Sequence, residues 1–237
     1  MLKKITLLCA IFFIATSATI AQTASDYRVA AEKGDAEAQY KLGLCYYKGN
    51  GVTEDESKAV YWWKKAAEQG YAAAQTYMGD CYKYGYGVEE DEIQAMSWYK
   101  KGAEQGYAEA QFNLGRCYIR EYDYSQAVYW WKKAAEQGYA EAQYNLGFYY
   151  YAGFDAPKDY KQAIYWYKKA AEQGLPEAQS GLAGCYYNGQ GVKKNENYAL
   201  YWYQKALEND MFDTFIRNRV NELKSLGYTA IKQRDKK

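Results

Sequence analysis

The chain has 237 residues, with 30 basic against 29 acidic side chains and no histidine. Balanced charge argues against nucleic acid as the main partner, which calls for a basic field. The missing histidine removes the commonest general base and the commonest transition-metal ligand together, which makes an enzyme less expected without excluding one; no metal and no cofactor is expected.

Met1 to Ala21 reads as a secretory signal. Lys3 and Lys4 form the basic start, and Ile5 to Ile14 is an apolar run too short to span a bilayer. Thr19-Ile20-Ala21 supplies small residues before a cut between Ala21 and Gln22. The mature chain is therefore expected to be exported, to the periplasm or beyond the cell, with no membrane insertion after cleavage. Residues 22–34 read as a capping half-unit, because Tyr27-Arg-Val-Ala-Ala-Glu-Lys-Gly34 resembles the end of a second helix. Five full units fill residues 35–209. A capping helix follows over 210–228, with Phe212, Phe215, Ile216, Val220 and Leu223 at helical spacing. Residues 229–237 form a basic, solvated tail.

The units are set by one recurring stretch, Ala-Ala-Glu-Gln-Gly-Tyr-Ala-Glu-Ala-Gln, whole at Ala134 to Gln143. Its glycines, Gly34, Gly70, Gly106, Gly138 and Gly174, follow each other at steps of 36, 36, 32 and 36 residues. A fixed period of this size marks a helical repeat array. Helix A of each unit begins just after the glycine, as at Ala36, with Leu42, Cys45 and Tyr46 on one face. Loops with Gly-x-Gly-Val follow in units one, two and five. Helix B starts at Asp55, Asp91, Asp123, Asp159 or Asn195, all good N-cap types, and the organising glycine ends it. All seven tryptophans fall in two adjacent columns of helix B, Trp62 and Trp63 in the first unit, and are read as packing. The third unit lacks four loop residues, leaving Arg120-Glu-Tyr-Asp123, and the fourth carries Gly153-Phe-Asp-Ala-Pro157 there.

With these residues in view, the unit Ala-Glu-Ala-Gln-Tyr-x-Leu-Gly-x-x-Tyr, Gly-x-Gly-Val, Asp-x-x-x-Ala-x-x-Trp-Tyr-x-Lys-Ala-Ala-Glu-Gln-Gly resembles the Sel-one-like repeat (SLR) family, a relative of the tetratricopeptide repeats. The resemblance covers Tyr27 to Asn209. It implies an all-α, right-handed superhelical solenoid of antiparallel helix pairs, and a non-catalytic scaffold that binds a protein or peptide.

Cys45, Cys81, Cys117 and Cys185 occupy one column of helix A. Equivalent residues one unit apart are at least the roughly 8–10 Å of packed helices from each other. A disulfide needs Cα atoms within about 7 Å. Four unbridged thiols are therefore expected, acting as small apolar residues.

Comparing the units with each other locates a candidate binding face. Three helix-A columns vary: Lys41, Tyr77, Asn113, Asn145 and Gly181; Leu44, Asp80, Arg116, Phe148 and Gly184; Lys48, Tyr84, Arg120, Ala152 and Asn188. They lie at i, i+3 and i+7 on one face, with the constant Ala38, Leu42, Cys45 and Tyr46 roughly opposite. Aromatic and arginine side chains there suit an interface, although tyrosine is abundant everywhere, with 30 copies. The alternative for this face is simple solvation. Two other functions are weighed. A glycan or peptidoglycan binder is suggested by export and aromatic content. A β-lactamase-like hydrolase is suggested by Ser97-Trp-Tyr-Lys100, which has Ser-x-x-Lys spacing. Tyr61-Trp-Trp-Lys64 at the same place in the previous unit makes that lysine a repeat residue, so the match reads as chance. The capping helix argues for a monomer.

Overall fold

The computed structural model describes residues 25, 27–209 and 213–231. The signal segment, Phe212 and the tail from residue 232 lie outside the described residues. Among those described there are helices and no strand. The short helix α1 covers residues 27–32. Five helix pairs follow: α2 (Ala36–Lys48) with α3 (Glu56–Glu68), α4 (Ala72–Tyr84) with α5 (Glu92–Glu104), α6 (Ala108–Arg120) with α7 (Tyr124–Glu136), α8 (Ala140–Ala152) with α9 (Tyr160–Glu172), and α10 (Pro176–Asn188) with α11 (Glu196–Glu208). Helix α12 (Thr214–Ser225) closes the series. Even-numbered members of the pairs are the A helices and odd-numbered ones the B helices. The chain divides into two compact units, Met1–Leu114 and Gly115–Lys237.

The expected N-caps are the ones found. Asp55, Asp91, Asp123, Asp159 and Asn195 each accept a backbone N–H three residues on, from Lys58, Gln94, Gln126, Gln162 and Tyr198. Each such cap is worth ~1 kcal/mol. At the other end of helix B the chain turns on the organising glycine. Gly70 has φ +90° and donates to the Ala67 carbonyl, and Tyr71 donates back to Ala66. This left-handed position satisfies the last carbonyls, and side-chain-bearing residues adopt it at a cost.

The A-to-B loop is closed by a bond that does not depend on loop length. The N–H of the N-cap residue donates to one helix-A carbonyl column: Asp55 to Tyr46, Asp91 to Tyr82, Asp159 to Tyr150 and Asn195 to Tyr186. In the shortened third repeat Asp123 makes the same bond to Tyr118 at 3.0 Å. Four residues are gone, yet the start of helix B is tied to the same carbonyl. The tight turn instead holds Tyr122 at φ +59°.

Packing within a pair rests on a glycine under an aromatic ring. A Cβ on Gly43 would stand 2.5 Å from the Trp63 indole. Gly79 meets Tyr99, Gly115 meets Trp131 and Gly147 meets Tyr167 in the same way. Bare backbone lets the ring lie flat on helix A, where Trp63 also donates Nε1–H to the Tyr40 carbonyl at 3.2 Å. The fifth repeat has Ala183 in this column, fully buried.

Between pairs the contact is a ladder of buried amides. Gln39, Gln75, Gln111, Gln143 and Gln179 donate to the carbonyls of Ala31, Ala67, Ala103, Ala135 and Ala171, each at 3.0–3.1 Å. These carbonyls lie in the last turn of the preceding helix, where each accepts the N–H of the organising glycine and, with its second lone pair, the glutamine amide. The same glutamines accept from the residue that ends their own helix B: Gln69 to Gln39 and Gln105 to Gln75 at 2.7 Å, Gln173 to Gln143 at 2.8 Å, Asn209 to Gln179 at 3.2 Å. One side chain thus fastens three helix ends.

The cysteine column packs as the spacing implies. Cys45, Cys81 and Cys185 are buried thiols outside any disulfide, and Cys117 is a half-buried thiol. Burial pushes Cys81 and Cys185 up to about 12, which keeps them neutral and unreactive at physiological pH.

Candidate protein-interaction face

Helix A buries Ala38, Leu42 and Cys45 and their equivalents, so its opposite side is what each repeat can offer a partner. The two units make different use of that side.

In the first unit it carries a belt of two runs of aromatic rings, Tyr71–Tyr40–Tyr77 and Tyr47–Tyr86–Tyr84, joined through the buried Trp63. Tyr71 and Tyr40 have ring centroids 5.2 Å apart, Tyr40 and Tyr77 5.6 Å, and Tyr77 and Trp63 4.7 Å. The series continues through Trp63–Tyr47 at 5.5 Å, Tyr47–Tyr86 at 5.9 Å and Tyr86–Tyr84 at 5.6 Å. Trp63 lies beneath; the tyrosines are half-buried except Tyr84, which is 46% exposed. Burial, then the neighbouring tyrosines, holds the Tyr40 hydroxyl well above its ordinary range. Tyr107, which donates to Glu109 at 3.3 Å, is pushed up to about 12 by burial and then by that carboxylate. The belt is a set of hydroxyl groups on apolar bodies, the kind of side chain that anchors interfaces.

The second unit presents a smaller apolar cluster. Phe154 stacks on Tyr124 at 5.4 Å and packs against Phe148 at 5.6 Å. Phe148 and Phe154 remain 44% and 49% exposed. Phe154 stands at the loop position that Tyr86 holds in the second repeat, so the irregular fourth loop supplies this ring. Asp155 follows it and accepts from the Tyr149 hydroxyl.

The residues expected from the varied columns fall into three groups. Tyr77 and Tyr84 lie in the belt, and Phe148 in the second cluster. Arg116 and Arg120 are exposed and Asn145 is half-buried. Lys41 is drawn off the face, with Nζ 2.6 Å from Glu37 and 5.6 Å from the Tyr27 ring centroid. Leu44 packs half-buried on the core around Ala59, Trp63 and Met78. Asp80 accepts the Tyr99 hydroxyl at 2.6 Å. Asn113 is a correction: it is buried, so it forms no part of an open face. Its column sits at the border between face and core, where the bulk of neighbouring side chains decides exposure.

Several rings were missed: Tyr40, Tyr47, Tyr71, Tyr86, Tyr124 and Phe154. A signal existed. The Tyr40 column reads Tyr40, Thr76, Phe112, Tyr144, Ser180, and the loop column Asn50, Tyr86, Phe154, Gln190. Both vary between repeats as strongly as the three columns chosen. Among the described residues, no group of three or more Cys, Asp or Glu side chains could hold a metal ion, and no helix is long and apolar enough to cross a membrane.

Fold and face together define an all-α helical-repeat scaffold built of A/B pairs. The Sel1 repeat matches residues 36–71, 72–107, 108–139, 140–175 and 176–211, and the chain belongs to this family. It is similar to the solved Sel1 repeat protein from Oxalobacter formigenes, at 33% identity over 85% of this chain and 81% of that one, with a TM-score of 0.74. It is also similar to c5321, a protective antigen of uropathogenic Escherichia coli displaying an SLR fold. That match has 36% identity over 87% of this chain and 53% of that one, with a TM-score of 0.67. The immunity protein Pa5087 of Pseudomonas aeruginosa shares the fold at 23% identity, over 83% of this chain and 80% of that one, with a TM-score of 0.55. No curated protein matches the chain.

Proposed function

We propose that this chain is an exported, non-catalytic adaptor that holds a protein or peptide partner on its helix-A face. The observation that carries the reading is the aromatic belt. Its rings differ between repeats; Tyr40, Tyr47, Tyr71, Tyr77 and Tyr86 pack half-buried on the core and show one edge outward, and Tyr84 projects into solvent at one end. Family membership supports the same reading, since stacked helical repeats use such surfaces for binding. Export rests on the Lys3-Lys4 start and the Ile5 to Ile14 run.

Catalysis at Ser97 finds no support in its surroundings: Ser97 and Lys100 are both exposed on α5, and Lys101 lies 3.8 Å from the Trp98 ring centroid. A glycan platform on helix B is disfavoured too. The exposed rings of Tyr61, Tyr129 and Tyr165 already carry the ammonium groups of Lys65, Lys133 and Lys169 at 4.8, 4.8 and 4.9 Å.

The test is affinity capture with crosslinking in the native extract, using the wild type beside Tyr84→Ala with Phe148→Ala and Arg116→Glu. All three residues are exposed, so helicity by circular dichroism should be unchanged. A partner captured by the wild type and lost by the folded variant is expected. Equal capture by both would move the site off helix A. N-terminal sequencing of the mature protein should begin at Gln22; an intact Met1 start would remove the export claim.

A further inference from the structure

The fifth repeat leaves helix A bare where the other repeats carry side chains. Two varied columns, Lys41, Tyr77, Asn113, Asn145 and Leu44, Asp80, Arg116, Phe148 in the first four repeats, end in Gly181 and Gly184. Both glycines lie on α10, three residues apart and so on one face, and both are half-buried. Two helix-B tyrosines bring their ring tips to this face. A Cβ on Gly181 would stand 3.0 Å from Tyr167 Cζ, and one on Gly184 would stand 3.8 Å from the Tyr203 hydroxyl. Tyr167 is 3% exposed and Tyr203 4%. Among the described residues neither hydroxyl has a hydrogen-bond partner. A buried hydroxyl left unpaired carries a desolvation cost that an acceptor from outside would relieve.

The second repeat shows what satisfies such a hydroxyl. Tyr99 holds the place of Tyr203 there, its ring lies over Gly79, and its hydroxyl donates to Asp80 at 2.6 Å. Asp80 belongs to the Gly184 column, so the fifth repeat has the donor without the carboxylate. A cation stands at the rim instead. Tyr187, one turn beyond Gly184 on α10, accepts from Arg219 Nη1 of α12 at 2.7 Å, and the guanidinium lies 4.3 Å from its ring centroid. Nη1 also donates to the exposed Glu222 at 2.6 Å. The other guanidinium N–H groups have no acceptor among the described residues. Burial raises the Tyr203 hydroxyl to about 12, and the Arg219 charge is the next influence on it, in the lowering sense.

We propose that Gly181 and Gly184 floor a notch that takes a carboxylate of a partner segment, held by the Tyr203 and Tyr167 hydroxyls with Arg219 at its rim. This rests on the adaptor reading and names the ligand chemistry of one position on the helix-A face. The carboxylate can be an Asp or Glu side chain or a chain terminus, and the test separates the two.

The experiment is affinity selection of N-acetylated random octapeptides, made with free and with amidated C-termini, on the immobilised chain from Gln22. Enriched peptides are titrated by fluorescence anisotropy against the wild type, Tyr203→Phe and Gly184→Asp. Tyr203→Phe removes a hydroxyl that the fold does not use, and Gly184→Asp rebuilds the Asp80–Tyr99 pair inside the notch. Both should fold, with the urea midpoint unchanged in the first and raised in the second. Enrichment of carboxylate-bearing peptides is expected, with Kd rising about tenfold or more in each variant, as loss of a hydrogen bond to a charged group implies, and rising with salt. Binding lost on amidation would assign the notch to a chain terminus; binding kept would assign it to a side chain. Three results would overturn the notch: enriched neutral or basic peptides, acidic peptides indifferent to either substitution, and a urea midpoint lowered by Gly184→Asp. The adaptor reading survives them if the same peptides weaken with Tyr84→Ala, Phe148→Ala and Arg116→Glu. No enrichment, with a partner still captured through helix A, would overturn the notch alone; no enrichment and no captured partner would overturn both.

Discussion

The two units share a frame and differ in what they display on it. In both, a glycine lies under an aromatic ring and a buried glutamine ties three helix ends, with nearly identical distances: Gln75 donates to Ala67 at 3.1 Å in the first, Gln143 to Ala135 at 3.0 Å in the second. The helix-A faces are unlike. One offers half-buried tyrosines with Tyr84 exposed; the other offers the exposed rings of Phe148 and Phe154. The difference teaches that this repeat separates holding from reading. Interactions that set geometry are made by backbone, buried amides and glycine–ring contacts, so the outer face can change without disturbing them.

The frame should fail in both units together when its shared chemistry is attacked. Tyr107 and Cys81 in the first unit, and Tyr149, Tyr203 and Cys185 in the second, are each pushed up to about 12, chiefly by burial. In the unfolded chain the thiols give up their protons near 9 and the phenols near 10. Between those values and 12 the native state binds more protons, so stability falls as pH rises. The expected outcome is a flat urea midpoint through neutrality and a steep loss above pH 9, complete by pH 12. A midpoint unchanged at pH 11 would show that these groups titrate normally. Next in size, Trp63→Ala and Trp131→Ala should each cost ~3–5 kcal/mol by urea unfolding. A large cost in one unit and none in the other would break the shared-frame comparison.

Removing one rung of the amide ladder is a smaller intervention. Gln75→Ala takes the side-chain donor from the Ala67 carbonyl, which keeps the Gly70 N–H, and the acceptor from the Gln105 amide; Gln143→Ala does the same to Ala135 and Gln173. Each should cost ~1–3 kcal/mol, again alike in the two units. Binding through the belt or the phenylalanine cluster should be unchanged wherever the variant remains folded.

Much of this frame was legible before any coordinates. Helix starts at Asp55 and Asn195, the turn at Gly70 and the unbridged cysteine column all follow from local rules, because caps, left-handed turns and helix spacing are decided by residues near in sequence. The glutamine ladder is not legible in the sequence, although Gln39, Gln75, Gln111, Gln143 and Gln179 recur in the organising motif. A polar residue at a fixed place in every unit looks the same in sequence whether it is solvated or buried; only its partners in the neighbouring pair distinguish the two. Asn113 failed for the related reason that variation marks freedom from the core only where neighbours leave room. Tyr86 and Phe154 stand in loops whose strongest sequence signal is their glycines, which mark the turn and say nothing of where the intervening ring packs.

The smallest expected effect sharpens the point about loops. The third repeat makes the same closing bond with four fewer residues, and Tyr122 bears the cost at φ +59°. A non-glycine residue pays roughly 1–2 kcal/mol in this region. The Tyr122 ring is 80% exposed, so little packing holds it there. Tyr122→Gly removes the strain, while the added freedom of glycine in the unfolded chain gives back ~0.5–1 kcal/mol. The net expectation is a stabilisation of up to ~1 kcal/mol, seen as a rise in urea midpoint with no change in slope. A fall instead would mean that Tyr122 contributes a contact larger than its strain, and that the short loop is held by its side chain as well as by the Asp123 to Tyr118 bond.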